Sequence, residues 1–171
     1  MRQAQTLNEA QLRRVLHYSR SRRHPARDET IILFSFYAGL RAKELAGLTR
    51  GDVFDDAGAV REQFILSAAQ SKGGNTRTVY VNQRLRRALA EYAAGLNLRD
   101  PNRALFESQK GGHFSANTMC QLFLDIYKAV GLKDASSHSG SVRGRYRQRQ
   151  ACLAPPRLRH CAYRHRSRHL R

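Results

Sequence analysis

A mainly helical α+β domain with one small antiparallel sheet, occupying residues 1–140 and followed by an arginine-rich segment, is the architecture this sequence predicts. Three observations predict it. Apolar residues recur at helical spacing in several stretches before residue 135. One stretch, residues 59–81, instead gathers β-branched and aromatic residues around a Ser-Lys-Gly-Gly turn signal. Beyond Gly140 both kinds of period stop. At 171 residues the chain suits one domain, and its first 140 residues can bury roughly two thirds of their unfolded surface, so a true core is expected.

Each element follows from local pattern. Thr6 and Glu9 form a capping-box pattern ahead of Leu12, Val15 and Leu16, which share a helical face and predict a first helix near 7–20. A basic loop, SRSRRHPA, follows. Asp28 and Glu29 then precede ETIILFSFYAG, apolar nearly all round and expected as a buried helix that Gly39 ends. In LRAKELAGLTRGDV, Leu40, Glu44, Leu45 and Leu48 share a face while Gly51 and Asp52 mark a turn, which predicts one further short helix.

After the predicted hairpin, Asn82 is placed to cap a helix with Leu85, Ala88, Leu89, Tyr92 and Leu96 on its apolar face. ALFES, residues 104–108, reads as a short extended piece. Ser115 caps the most regular helix, whose face of Met119, Leu122, Phe123, Ile126, Tyr127 and Val130 is followed by Gly131 at the C′ position.

The charge is uneven. Residues 1–140 carry 21 Lys and Arg against 13 Asp and Glu, and residues 141–171 carry 10 arginines and no acid, giving +18 in all. Such a balance points to a polyanionic partner, most often nucleic acid, because neutralising phosphates releases condensed counterions. Leu, Ile, Val and Phe make up 4 of the last 31 residues, too few for a core, so a disordered tail is expected. As a strand, VRGRYRQRQ would present no apolar face. The longest apolar run, IILFSFYAGL, is half a bilayer span, and the amino terminus has no apolar signal region, which together predict a soluble cytoplasmic protein with no membrane partner. Cys120, Cys152 and Cys161 form no CxxC pair and argue against a disulfide scaffold. Zinc on four of Cys152, His160, Cys161, His165 and His169 has no supporting spacing, so no zinc site is expected.

Three residues are candidates for chemistry. Arg41 directly follows a buried helix and a glycine, so its guanidinium is held where it can grip phosphate oxygens with paired hydrogen bonds; the plain alternative is a surface arginine starting a helix. Lys72 sits at the predicted hairpin tip, able to reach a neighbouring groove or simply to be solvated. His138, in SSHSG, lies among small residues that permit close approach of a ligand, and is otherwise a structural or exposed histidine.

Together and in this order, the three segments resemble the tyrosine recombinase family, also called phage integrases, over roughly residues 5–140. GLRAKELAGLTRGDV is similar to that family's first arginine motif, SKGGNTRTVYV to its Lys-Gly turn followed by a basic residue and a β-branched strand, and SSHSG to the start of its His-x-x-Arg motif. The resemblance implies a metal-free reaction on double-stranded DNA. A tyrosine hydroxyl attacks a phosphodiester, leaving a 3′-phosphotyrosyl bond and a free 5′-hydroxyl. It implies Arg41 as a phosphate-binding arginine, Lys72 as the general acid for the departing 5′ oxygen, and His138 as a phosphate hydrogen-bonder or proton-transfer group. Glu44 is expected to hold its region together rather than touch DNA.

The sequence then departs from the family. Ser141 stands where the pattern requires arginine, and no Leu-Gly-His-like segment with its following tyrosine appears. Tyr146 is too near His138, and Tyr163 falls where a later histidine would be. The family's C-terminal helices are thus expected to be missing or replaced. A reading-frame shift after Gly140 accounts for this, with an evolved DNA-binding arm as the competing account. The expected function is site-specific DNA recombination and integration by ancestry, with catalysis impaired. A non-enzymatic basic DNA-binding protein, self-associating or associating with an intact recombinase, is the alternative. No separate amino-terminal clamp domain is expected, so this domain itself must grip DNA.

Overall fold

The computed structural model describes residues 6–71, 74–109, 111–133, 135–137, 139 and 140. Among them are helices α1 (Glu9–Arg20), α2 (Pro25–Leu33), α3 (Ala42–Ala46), α4 (Arg50–Val53), α5 (Gln83–Ala93) and α6 (Ala116–Ala129), with strands β1 (Gln63–Leu66) and β2 (Arg77–Tyr80). This is the mainly helical α+β class that the pattern predicts. Residues 141–171, with Ser141, Tyr146, Tyr163, Cys152 and Cys161, lie outside the described residues, and so does every expectation placed on them.

Helix α1 buries Leu12, Val15 and Leu16 as its period requires, but begins later than the Thr6 pattern implies. Asn8 is the cap: its Oδ1 accepts from Gln11 N, and Gln11 Oε1 accepts from Asn8 N, both at 2.8 Å. Thr6 and Glu9 have the right spacing for the same box. The difference is tertiary, because Leu7 is buried and its N–H donates to the Ser139 carbonyl at 3.3 Å, which keeps residue 7 out of the helix.

Helix α2 runs into a wholly buried π-helical turn, Phe34–Ala38, and ends at Gly39, whose φ of 70° is a conformation that costs a glycine little. Phe34 in this turn meets Phe64 of β1 and Phe106 edge-on, with ring centroids 6.2 and 6.1 Å apart. The expected single short helix is two pieces. Thr49 and Asp52 form a second reciprocal cap, with Thr49 N donating to Asp52 Oδ2 at 2.8 Å, so the predicted turn winds into α4.

The sheet is one antiparallel pair in the register Gln63↔Tyr80, Phe64↔Val79, Ile65↔Thr78, Leu66↔Arg77. Phe64, Leu66 and Val79 face the core, and Ile65 is left exposed on the other side. Residues 67–76 connect the strands, which is longer than the tight turn expected. Gln70 fastens this connection by donating from Nε2 to the Gly47 carbonyl and Asp52 Oδ2. Asn82 caps α5 by accepting from Leu85 N, and the extended piece pairs Ala104 with Thr49. Helix α6 buries Met119, Leu122, Phe123, Ile126 and Tyr127 and packs on α3 and α1. No helix among the described residues is long and apolar enough to cross a membrane.

Candidate functional site

Arg41 is delivered by three local features in succession: the buried π turn, the left-handed Gly39 and fully buried Leu40. Its backbone is extended (φ −83°, ψ 160°) and it stands as the N-cap of α3. Its N–H donates to Glu44 Oε2 at 2.8 Å, while its Nη1 lies 3.8 Å from Glu44 Oε1, an attraction without a hydrogen bond. The Arg41 side chain is 30% exposed, so the guanidinium is braced at its base and open at its tip.

Glu44 is buried, with only 2% of its side chain exposed, and a carboxylate taken out of water requires cationic or donor partners. It has them from two elements. Arg77, the first residue of β2, donates from Nη2 to Glu44 Oε2 at 2.8 Å and is itself 28% exposed. The structural role expected for Glu44 is thus what its surroundings show. The local motifs do not single out Arg77, although the strand pattern carries a signal for it. Period-two alternation puts it on the same strand face as buried Val79, and a charge at an inward position needs a buried partner of opposite sign. Glu44, on the apolar face of LRAKELAGL, is the matching anomaly.

Lys72 and His138 fall outside the described residues. Their neighbours are informative. Ser137 and Ser139 are buried; Ser139 Oγ accepts from Ser136 N at 2.9 Å, and the Ser139 carbonyl accepts from Leu7 N. Gly140 is pressed against Ser35 in the π turn that leads to Arg41. The flanks of the Lys72 and His138 segments therefore meet the same Phe34–Ala46 stretch, one through Arg77 and the other through Gly140.

Among the described residues, two open clefts lie elsewhere. One, about 790 Å³, is bordered by Arg61, Arg99, Asp55 and Asp56. The other, about 530 Å³, is bordered by Arg23, His24, Arg27 and Glu107. In the second, desolvation first, then Arg27 and Arg23, lowers the His24 pKa. Of the arginines that border it, Arg27 already bonds buried Asp28.

Comparison with known proteins agrees with this fold. The sequence model described as the phage integrase family matches residues 5–143. Tyrosine recombinase XerC of Methylobacterium sp. (strain 4-46) is 34% identical over 113 residues, which are 66% of this chain and 33% of that protein. The chain thus spans about a third of that curated relative's length. Among solved structures, XerA recombinase superposes with a TM-score of 0.65 at 21% identity, over 84% of this chain and 50% of that one. The Tn1549 transposon integrase in complex with circular intermediate DNA gives 0.65 at 20% identity, over 92% and 56% respectively. XerH recombinase bound to its difH substrate gives 0.60 at 20% identity, over 86% and 45%. These structures share the fold.

Proposed function

The chain belongs to the phage integrase family, and from that premise we propose that it binds double-stranded DNA with Arg41 against a backbone phosphate, as a member of a lineage that breaks and rejoins DNA at specific sites. One observation carries the reading. A half-open arginine is braced by a buried carboxylate that Arg77, five residues after Lys72, also bonds, and the turn that leads to this arginine packs through Ser35 on Gly140, two residues after His138. A guanidinium placed this way offers charge-assisted donors to phosphate oxygens.

In the reaction this family membership supports, a tyrosine oxygen forms a bond to phosphorus and the 5′ oxygen leaves. Arg41 and His138 hydrogen-bond the phosphate as its charge grows, and Lys72 gives the leaving oxygen its proton. No metal or nucleotide enters. On this reading the chain is impaired in that step, because Ser141 stands where the family's pattern has arginine and the sequence spacing of neither Tyr146 nor Tyr163 matches the family's nucleophile. Residues 141–171, with 10 arginines and no acid, act as a polycation that adds phosphate contacts without adding chemistry. Ser141 also favours the second reading, a non-enzymatic DNA-binding protein that occupies the sites of an intact recombinase or pairs with it.

The deciding experiment is a duplex DNA titration of the full chain over a salt series, with Arg41→Ala beside it. Affinity should fall steeply with salt, and Arg41→Ala should weaken binding about tenfold at fixed salt, the scale of one charge-assisted hydrogen bond. Thermal unfolding should be unchanged. Loss of stability equal to the loss of binding would assign Arg41 a structural role, and salt-independent binding would sink the phosphate reading.

A further inference from the structure

We infer that Arg77 is a positioning residue for Arg41: it neutralises buried Glu44 from the strand side and thereby leaves the Arg41 guanidinium free for phosphate. The inference rests on the DNA-binding reading above. It begins with the division of labour on one carboxylate. Oε2 takes both the Arg77 guanidinium and the Arg41 backbone N–H at 2.8 Å each, whereas the Arg41 guanidinium stands off at 3.8 Å from Oε1.

That stand-off depends on Arg77. Glu44 has almost no access to water, so its charge must be met by protein groups. With Arg77 present, the need is met at hydrogen-bond distance from β2. With Arg77 removed, Arg41 is the other cation already in reach, and an inward shift of about 1 Å would bring its Nη1 to charge-assisted bonding distance. The carboxylate would then take the donors that a phosphate needs. Arg77 also belongs to the strand that leaves the Lys72 connection. The same ion pair therefore ties the placement of β2 to the availability of Arg41, across 33 residues of sequence.

A binding cycle separates this role from simple addition of charge. Dissociation constants of the full chain for duplex DNA are measured at one salt concentration for Arg41→Ala, Arg77→Gln, the two together, and Arg77→Lys. Arg77→Gln should weaken binding roughly tenfold, as Arg41→Ala does. The double variant should be little worse than either alone, and Arg77→Lys should keep most of the affinity.

In the Glu44→Gln/Arg77→Gln background nothing draws Arg41 inward, so Arg41→Ala should again cost roughly tenfold. Losses that multiply to about a hundredfold in Arg41→Ala/Arg77→Gln would make Arg77 an independent phosphate contact and overturn the inference. Unchanged affinity in Arg77→Gln would also overturn it. Thermal unfolding is recorded for every variant. If Arg77→Gln does not fold, the Glu44→Gln/Arg77→Gln pair, which buries no charge, decides alone: no loss on adding Arg41→Ala there rejects the inference. Failure of the wild-type chain to bind DNA would instead reject the proposed function.

Discussion

Gly140 lies so close to Ser35 that a β-carbon on it would fall 2.6 Å from the Ser35 hydroxyl oxygen and 3.2 Å from the Ser35 β-carbon. The chain beside His138 is thereby docked on the turn that leads to Arg41. Gly140→Ala should destabilise the domain by about 1–3 kcal/mol, the range for forcing a methyl group into a packed interior. Ser35→Gly should recover most of that loss in the double variant, since it removes both side-chain obstacles. Chemical denaturation of the four proteins in the cycle checks this, and additive losses would show that the two residues do not share the contact.

Ser35 alone gives a second test. Its hydroxyl is buried and has no hydrogen-bond partner among the described residues. Ser35→Ala should therefore leave stability unchanged or raise it by up to about 1 kcal/mol, because an unsatisfied buried hydroxyl is replaced by a methyl of similar shape. A clear loss in the denaturation midpoint would reveal a partner for that oxygen.

Glu107 joins Arg50, which is buried, to Arg103, which is half exposed, each at 2.8 Å. Arg50 also donates to the Asn97 carbonyl. Glu107→Gln strips the counter-charge from a buried guanidinium and should cost about 2–3 kcal/mol, whereas Arg103→Ala removes an exposed partner and should cost less than about 1 kcal/mol. Urea midpoints compare them. Equal costs would mean that the exposed pair carries the load.

Two tyrosines predict an alkaline limit to stability. Burial pushes the Tyr92 hydroxyl from 10.0 up to about 12 and raises that of Tyr127 further. Since both folded values lie above the unfolded one, the neutral phenols contribute full stability below pH 10.0, and that contribution is lost as pH climbs through about 12. Tyr127→Phe should flatten the fall in denaturation midpoint over this window. At neutral pH it should cost little, as the Tyr127 hydroxyl is buried without a partner among the described residues. Tyr92→Phe should flatten the window too, but with a neutral-pH cost of about 1 kcal/mol from its bond to the Leu105 carbonyl.

No covalent phosphotyrosyl complex should form when the chain is incubated with a nicked suicide duplex and denatured, and Ser141→Arg should not restore one. A missing donor slows such a step by about 10²- to 10³-fold. A missing nucleophile abolishes it. A covalent band that Tyr163→Phe removes would overturn this reading of residues 141–171.

Where sequence reading succeeded, the pattern repeated over several turns. The faces of α1, α5 and α6 were legible because burial of one stripe every 3.6 residues leaves the same mark wherever the helix packs. The caps at Asn82 and Ser115 were equally local. The start of α1 was not, since Thr6 and Asn8 offer comparable caps and only the docking of Leu7 on Ser139 chooses between them. Nor was the break between α3 and α4, which Gln70 helps to fix from the connection between the strands.

By itself the sequence determined the helical class, the single hairpin, the surplus of positive charge and the family, through Gly-Leu-Arg, the Lys-Gly turn and the histidine segment in order. Tertiary structure alone decided that Arg77 and Arg41 share Glu44, and that Ser35 leaves no room for a β-carbon at residue 140. The reason lies in range. Helical stripes, caps and turns are written within a few residues, whereas the partner of a buried charge or the obstacle to a β-carbon is whatever the packed chain brings there from elsewhere.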